Sequence, residues 1–190
     1  MVDLPFGQAC FTLWRAHSTV IALVGDGLHD RIVTEDIAHI WKTGFVIRHT
    51  ACLLRSLKQW TGRELFADVS SERELARKVF EAPFVLVSHG TEDDPVLNYG
   101  NRAALELWEM SWAELTSTPS RLTAEAPNRQ ERARLLAAVT ERGFIDDYSG
   151  VRISKTGRRF RIERATVWNL KTEPGQPCGQ AAMFDRWNFL

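Results

Sequence analysis

The last third of the chain constrains the fold most. Three runs, Phe144 to Ser154, Arg159 to Leu170 and Cys178 to Trp187, are separated only by the turn signals Lys155-Thr-Gly157 and Glu173-Pro-Gly175. Links this short join antiparallel neighbours, because a parallel return needs a crossover of roughly a dozen residues or more. Upstream, Phe84 to Ser88 and Val96 to Gly100 read as a hairpin across the polar turn His89-Gly-Thr-Glu-Asp-Asp-Pro95. Between the hairpin and the three runs lie small helices. Asn101 opens Ala103 to Trp108, the capping box Ser111-Trp-Ala-Glu114 opens a one-turn helix, and Pro119 to Pro127 is loop. Asn128 then caps a helix with Glu131 at N3, a buried stripe of Leu135, Leu136 and Val139, and Gly143 as its stop. Strand, strand, helices, then three strands is an α+β order with an antiparallel sheet, not a βαβ order.

Ahead of Phe84 the pattern is helical. Thr34 is placed to cap a helix running to Trp60, with Glu35 and Asp36 in its first turn and Ile37, Ile40, Trp41, Ile47, Leu54 and Leu57 near helical spacing. Gly44 interrupts that helix, which allows two helices in its place, and Thr61-Gly62 ends it. Ser71-Glu-Arg-Glu74 is a second capping box, and Pro83 stops the helix it opens. Residues 1–33 show no period beyond the turn Gly25-Asp-Gly27. The expected organisation is an extension over 1–33, a helical segment over 34–82 and the sheet domain over 83–190.

Composition narrows the function classes. Lys plus Arg is 24 and Asp plus Glu is 24 in 190 residues, so no global basic field favours nucleic acid. The three cysteines, Cys10, Cys52 and Cys178, are scattered and form no CxxC pair, which argues against a disulfide framework or structural zinc and fits a reduced, cytoplasmic protein. The apolar run Ser18 to Gly25 is far short of the roughly 18 residues a membrane span requires. No Walker loop, GxGxxG or HExxH occurs.

The element order is that of a PAS domain, and Asn98-Tyr-Gly-Asn101-Arg-Ala-Ala104 resembles the PAS segment in which a strand hands over to a helix through an asparagine. Longer strings are similar to one PAS-like group, the MEKHLA domain. They are Phe80-Glu-Ala-Pro-Phe84, Ser88-His-Gly-Thr-Glu92, Leu97 to Asn101, Ala104-Leu-Glu-Leu-Trp108, Gly143 to Ile153, Gly157 to Ile162 and Ala165 to Asn169. The resemblance runs from about Arg55 to Leu190. It implies a five-stranded antiparallel sheet with helices on one face, and a role in sensing a signal or contacting proteins. Such domains also end plant homeodomain–leucine zipper factors, but this chain has no homeodomain or zipper, so direct DNA binding does not carry over. Haem-binding PAS domains take a histidine from the later helices, and no histidine follows His89. Flavin-photoactive ones carry a cysteine in a short helix, and none lies between Asn101 and Phe144. The resemblance thus disfavours His-ligated haem and a cysteinyl-flavin switch, and leaves the cofactor unknown.

The natural place for a site is the hollow between sheet and small helices. Trp108 and Trp112 either fill it or form an aromatic wall for a flat ligand. Arg152 and Arg164, if inward, either pair with Glu106, Asp146 or Asp147 or anchor a carboxylate or phosphate. Period two groups Phe160, Ile162, Arg164, Thr166 and Trp168 on one face of their strand, and Tyr148, Gly150, Arg152 and Ser154 on one face of theirs, so both strands present mixed faces. Asn101 caps the following helix or ties two strands. The candidate ligand-binding set is Tyr99, Asn101, Trp108, Trp112, Tyr148, Arg152, Arg164 and Trp168, with no metal site and no catalytic residue assigned. His89 beside Glu92, Asp93 and Asp94 reads as a solvated turn or as a general base.

Three functions follow. The first is a sensor or interaction module that binds a small molecule or a partner, dimerising through the apolar stripe of the Thr34–Trp60 helix. The second is a small enzyme built on His89 and the neighbouring acids, which requires a carboxylate within reach of that ring. The third is a ligand-free scaffold with a solid core.

Overall fold

In the computed structural model, residues 37–125 and 129–190 are described. The expected extension 1–33 and the expected caps Thr34 and Asn128 lie outside them. After a 3-10 turn at Ile40–Lys42, helix α1 spans Gly44–Thr61. The helical run does break here, at extended Thr43, and Gly44 begins the new helix, which the Thr43 side chain caps by accepting from Val46 N at 3.3 Å. Gly62, at φ 72°, closes it. Helix α2 is Glu72–Phe80, capped by Ser71. Only half of the expected box forms there: the Glu74 carboxylate turns to the Ser70 N–H and hydroxyl instead of Ser71.

The sheet comprises β1 (Val85–His89), β2 (Leu97–Gly100), β3 (Phe144–Ile153), β4 (Arg159–Lys171), β5 (Pro177–Phe184) and β6 (Arg186–Phe189). All pairings are antiparallel in the order β2-β1-β5-β4-β3, with β6 also on β4. Six strands appear where five were expected because the last run breaks at Asp185. The register does not break with it: Thr166 pairs Met183 before the gap and Glu163 pairs Arg186 after it, so β6 prolongs β5 along β4.

The break is one point in a row. Asp147 on β3 and Arg164 on β4 have φ of 70° and 52°, a left-handed conformation that shifts the alternation of side chains, and Arg164 stands opposite Asp185. On β4, Phe160 and Ile162 share a side with Ala165, while Trp168 and Leu170 pack on the other. On β3, Phe144 packs with the Trp168 cluster and Tyr148 with the Ile162 cluster. Phe184 and Trp187, three apart across the gap, lie on one side. Strict alternation, which grouped Arg164 with Phe160 and Trp168, is therefore corrected: the strands change phase together.

Helices cover both sides of this sheet. The small helices α3 (Arg102–Trp108) and α4 (Trp112–Leu115), a 3-10 turn at Ser120–Thr123 and the longer α5 (Arg129–Arg142) follow β2. The expected box at Ser111 and Glu114 forms in full on α4. Helix α3 packs through Ala104, Leu107 and Trp108 on Phe160, Ile162 and Phe184. Helix α5 is held by amides: Gln180 Nε2 donates to Leu136 O at 3.1 Å and Asn169 Nδ2 to Val139 O at 2.9 Å. It stops at Gly143, φ 92°, where a Cβ would collide with the Trp60 ring.

The opposite side belongs to α1. Val46, Leu53 and Leu57 are fully buried in one cluster with Leu86, Tyr99, Trp168 and Leu170. The apolar stripe expected to await a second copy faces the chain's own sheet instead, and the helical segment shares a core with the sheet segment.

Candidate functional site

Between the sheet and α3, the Ser120–Thr123 turn and α5 lies a cavity of about 60 Å³. Its apolar wall includes Val87, Trp108, Leu135, Ile162, Val167 and Phe184, and its polar wall includes His89, Thr123, Arg132, Tyr148, Arg152 and Gln180.

Arg152 is only 7% exposed. Its guanidinium donates to Val151 O at 2.8 Å and to the Tyr148 hydroxyl at 3.1 Å, and sits 5.4 Å from the Tyr148 ring centre. None of the carboxylates expected to pair with it does so. Asp146 accepts from Thr166 and pairs with Arg63, and Asp147 lies beside Arg164 at 3.8 Å. Arg132 reaches the same cavity from α5. Burial, with the Arg152 charge adding to it, pushes the Arg132 guanidinium down to about 10. Asp94 is close enough to act on Arg132, but its two oxygens are each held by Arg121 Nε at 3.0 Å.

His89 corrects the sequence reading most. It is the last residue of β1, not part of a solvated turn, and is 8% exposed at the cavity wall. Its Nδ1 lies 2.8 Å from Gly90 O, while Nε2 is buried with no partner. A carbonyl only accepts, so Nδ1 donates and a neutral ring leaves Nε2 as an acceptor. Burial lowers its pKa, Arg132 adds to this, and the Gly90 bond and Glu92 act against them. The carboxylate contact that general-base chemistry would need is replaced by that backbone carbonyl.

Of the predicted residues, the cavity collects Trp108, Tyr148 and Arg152. The Trp108 indole Nε1 is buried without a partner. Tyr99 and Trp112 meet edge to face at 5.9 Å and pack in the α1 cluster. Trp168 is fully buried against α1 and donates from Nε1 to Leu53 O at 3.3 Å. Arg164 has a side chain 66% exposed and lines a polar surface groove with Arg63, Asp146, Asp147, Asp185 and Arg186. Asn101 does both things expected of its amide. Oδ1 accepts from Leu86 N and Ala104 N at 3.0 and 3.2 Å, and Nδ2 donates to Phe84 O at 2.6 Å and to Val79 O at 3.3 Å, which knots β1, α3 and the end of α2 together. Arg132 and Gln180 were missed, and His89 was weighed only as a turn residue or a general base. Arg132 carried a legible signal: it lies three and four residues before Leu135 and Leu136, on the buried stripe of its own helix.

The family model described as the MEKHLA domain matches residues 47–189, which takes in α1, the cavity and the whole sheet. The chain belongs to the MEKHLA domain family. Among curated relatives, this MEKHLA chain is 23% identical over 137 residues to the homeobox-leucine zipper protein HOX32 of rice, covering 72% of this chain and 16% of that protein. It is 23% identical over 143 residues to ATHB-9 of Arabidopsis thaliana, covering 73% and 17%. The chain thus spans about a sixth of the length of these relatives. Among solved structures, the MEKHLA fold resembles a PAS domain from Colwellia psychrerythraea, with TM-score 0.51, 14% identity, and coverage of 60% of this chain and 92% of that one. It also resembles an RNA-binding Light-Oxygen-Voltage receptor, with TM-score 0.50, 20% identity, and coverage of 58% and 31%. These likenesses establish a PAS-like α+β fold. Among the described residues no helix is long and apolar enough to cross a membrane. No cluster of three or more His, Cys, Asp or Glu among them could hold a metal.

Proposed function

We propose that this MEKHLA domain is a sensory signalling module that acts by holding a small molecule between its sheet and its small helices. The wall of the cavity carries this reading. Arg132, Arg152, His89 and Trp108 meet there, and their charge or hydrogen-bonding capacity is left partly unused by the protein. Buried polar groups without partners cost stability, and native chains keep them where something else completes them. The structural relative named as a Light-Oxygen-Voltage receptor is by that name a sensor, which agrees with this reading. The size of the cavity argues against a large cofactor: about 60 Å³ does not hold a tricyclic flavin or a haem unless the helices open.

Native mass spectrometry of the full chain purified from its own host tests the proposal. The expected spectrum contains a small added mass that disappears on denaturation. A bare protein in repeated preparations, together with no thermal shift from a library of small metabolites, would leave a ligand-free scaffold as the function.

A further inference from the structure

We infer that the cavity is a site for a short 2-hydroxy carboxylate. In this assignment Arg132, Arg152 and the Trp108 indole N–H face the carboxylate, and His89 Nε2 accepts from the hydroxyl. The inference rests on the ligand-binding reading above and names the class of ligand.

Charge comes first. Two guanidinium groups line one small cavity, and among the described residues neither forms an ion pair. Like charges in a low-dielectric space repel, and each loses hydration, so an anion between them relieves both costs. Arg forks match the planar, two-oxygen geometry of a carboxylate. The Trp108 N–H is a third buried donor without an acceptor, and among the described residues no carboxylate lines the wall.

The second requirement is opposite in sense. His89 Nε2 is a buried lone pair with no donor, because Nδ1 is committed to Gly90 O. A simple carboxylate offers nothing to that lone pair; a neighbouring hydroxyl does. Burial, reinforced by Arg132, keeps the ring neutral and therefore an acceptor.

Size and walls complete the case. A cavity of about 60 Å³ holds about four to six water-sized groups, on the scale of 10–15 Å³ for each. That is the size of lactate or glycolate. The ring faces and branched side chains of Trp108, Phe184, Ile162 and Val167 suit a carbon skeleton better than a fully hydrated inorganic oxyanion.

Calorimetric titration of the full chain with lactate, acetate, propane-1,2-diol and inorganic phosphate decides the matter. Lactate is expected to bind saturably and at least about tenfold more tightly than acetate, with the diol and phosphate weaker still. Arg152→Met is expected to weaken lactate at least about tenfold while leaving the thermal midpoint of the unliganded chain near that of the parent, which verifies that the variant folds. His89→Phe should remove the preference of lactate over acetate. Diol binding with the carboxylates silent overturns the anion assignment and keeps the ligand site. Phosphate binding above lactate overturns the carboxylate. Silence from all four probes, with no cavity resonance shifting in an NMR titration, overturns this inference; the sensing proposal itself still stands or falls on the co-purified mass.

Discussion

The two sides of one sheet have been finished differently. On the α1 side, two tryptophan N–H groups find acceptors: Trp168 reaches Leu53 O and Trp60 reaches Asn169 O at 2.9 Å. The unpartnered buried hydroxyls in that half, on Thr50 and Tyr99, are neutral, and neither lines the cavity. On the α3 and α5 side, among the described residues, Trp108 has no acceptor, His89 Nε2 has no donor, and two arginines meet without a carboxylate. The first side is packed to hold the fold, and the second keeps a space and the groups to fill it. Stability should therefore be concentrated on one side and tolerance on the other.

The largest expected effect is on the packed side. Trp168→Ala should cost about 4 kcal/mol in a urea melt, because it removes a fully buried ring and leaves a cavity between α1 and β4. A cost under about 1 kcal/mol would break the comparison.

Acid comes next. His49 on α1 bonds Ser88 Oγ at 2.8 Å and stacks on Phe45, and burial lowers its pKa to about 4. The folded pKa lies below the unfolded value of about 6.5, so the unfolded chain binds the proton first. Stability is full above about pH 6.5 and falls on acidification toward pH 4, by on the order of 3 kcal/mol. His89 acts in the same direction. Thermal melts from pH 7.5 to 4.5 should show this slope, and His49→Gln should flatten most of it.

A smaller effect is expected on the cavity side. Without ligand, Arg152→Met should change stability by no more than about 1 kcal/mol and could raise it, since an unpaired buried charge is exchanged for an apolar chain. A loss near that of Trp168→Ala would mean Arg152 supports the fold and not a ligand.

The smallest test is chemical. Cys52 on α1 lies 3.7 Å from Cys178 on β5, sulfur to sulfur, and the hydrogen bond from Cys178, opposed by burial, holds its thiol at about 6. At pH 7 iodoacetamide should modify Cys52 ahead of Cys178, read by peptide mass, with Cys178→Ser slowing the reaction at Cys52.

Much of the fold was legible. The turn signals at Lys155-Thr-Gly157 and Glu173-Pro-Gly175 and the box at Ser111 act through a few neighbouring residues, so local chemistry revealed them. The cavity was half legible. Trp108 came through as the last residue of a small helix expected over the sheet, and Tyr148 and Arg152 because they stand four apart on β3. Arg164 and Trp168, named as candidates on one period-two face, lie outside the cavity, and the change of phase between them was hidden because a charged residue with positive φ looks in sequence like any other strand residue. His89 was hidden by the acids that follow it, and the cavity it lines is completed by α5, some forty residues away. The helical stripe offered itself to a partner because nothing local says that a distant sheet will cover it.

The row Asp147, Arg164 and Asp185 also sets a rule for chain length. Its strands slip phase at the same height, and β5 and β6 share one register on β4 because the slip is matched across the pair. Losing one residue from this row would set that strand against its neighbours and turn every side chain beyond it to the wrong side. The turns at Lys155-Thr-Gly157 and Thr172–Gln176 carry no such condition. Relatives of this chain should therefore vary in length at those turns, and where the row changes at all, its strands should change as one.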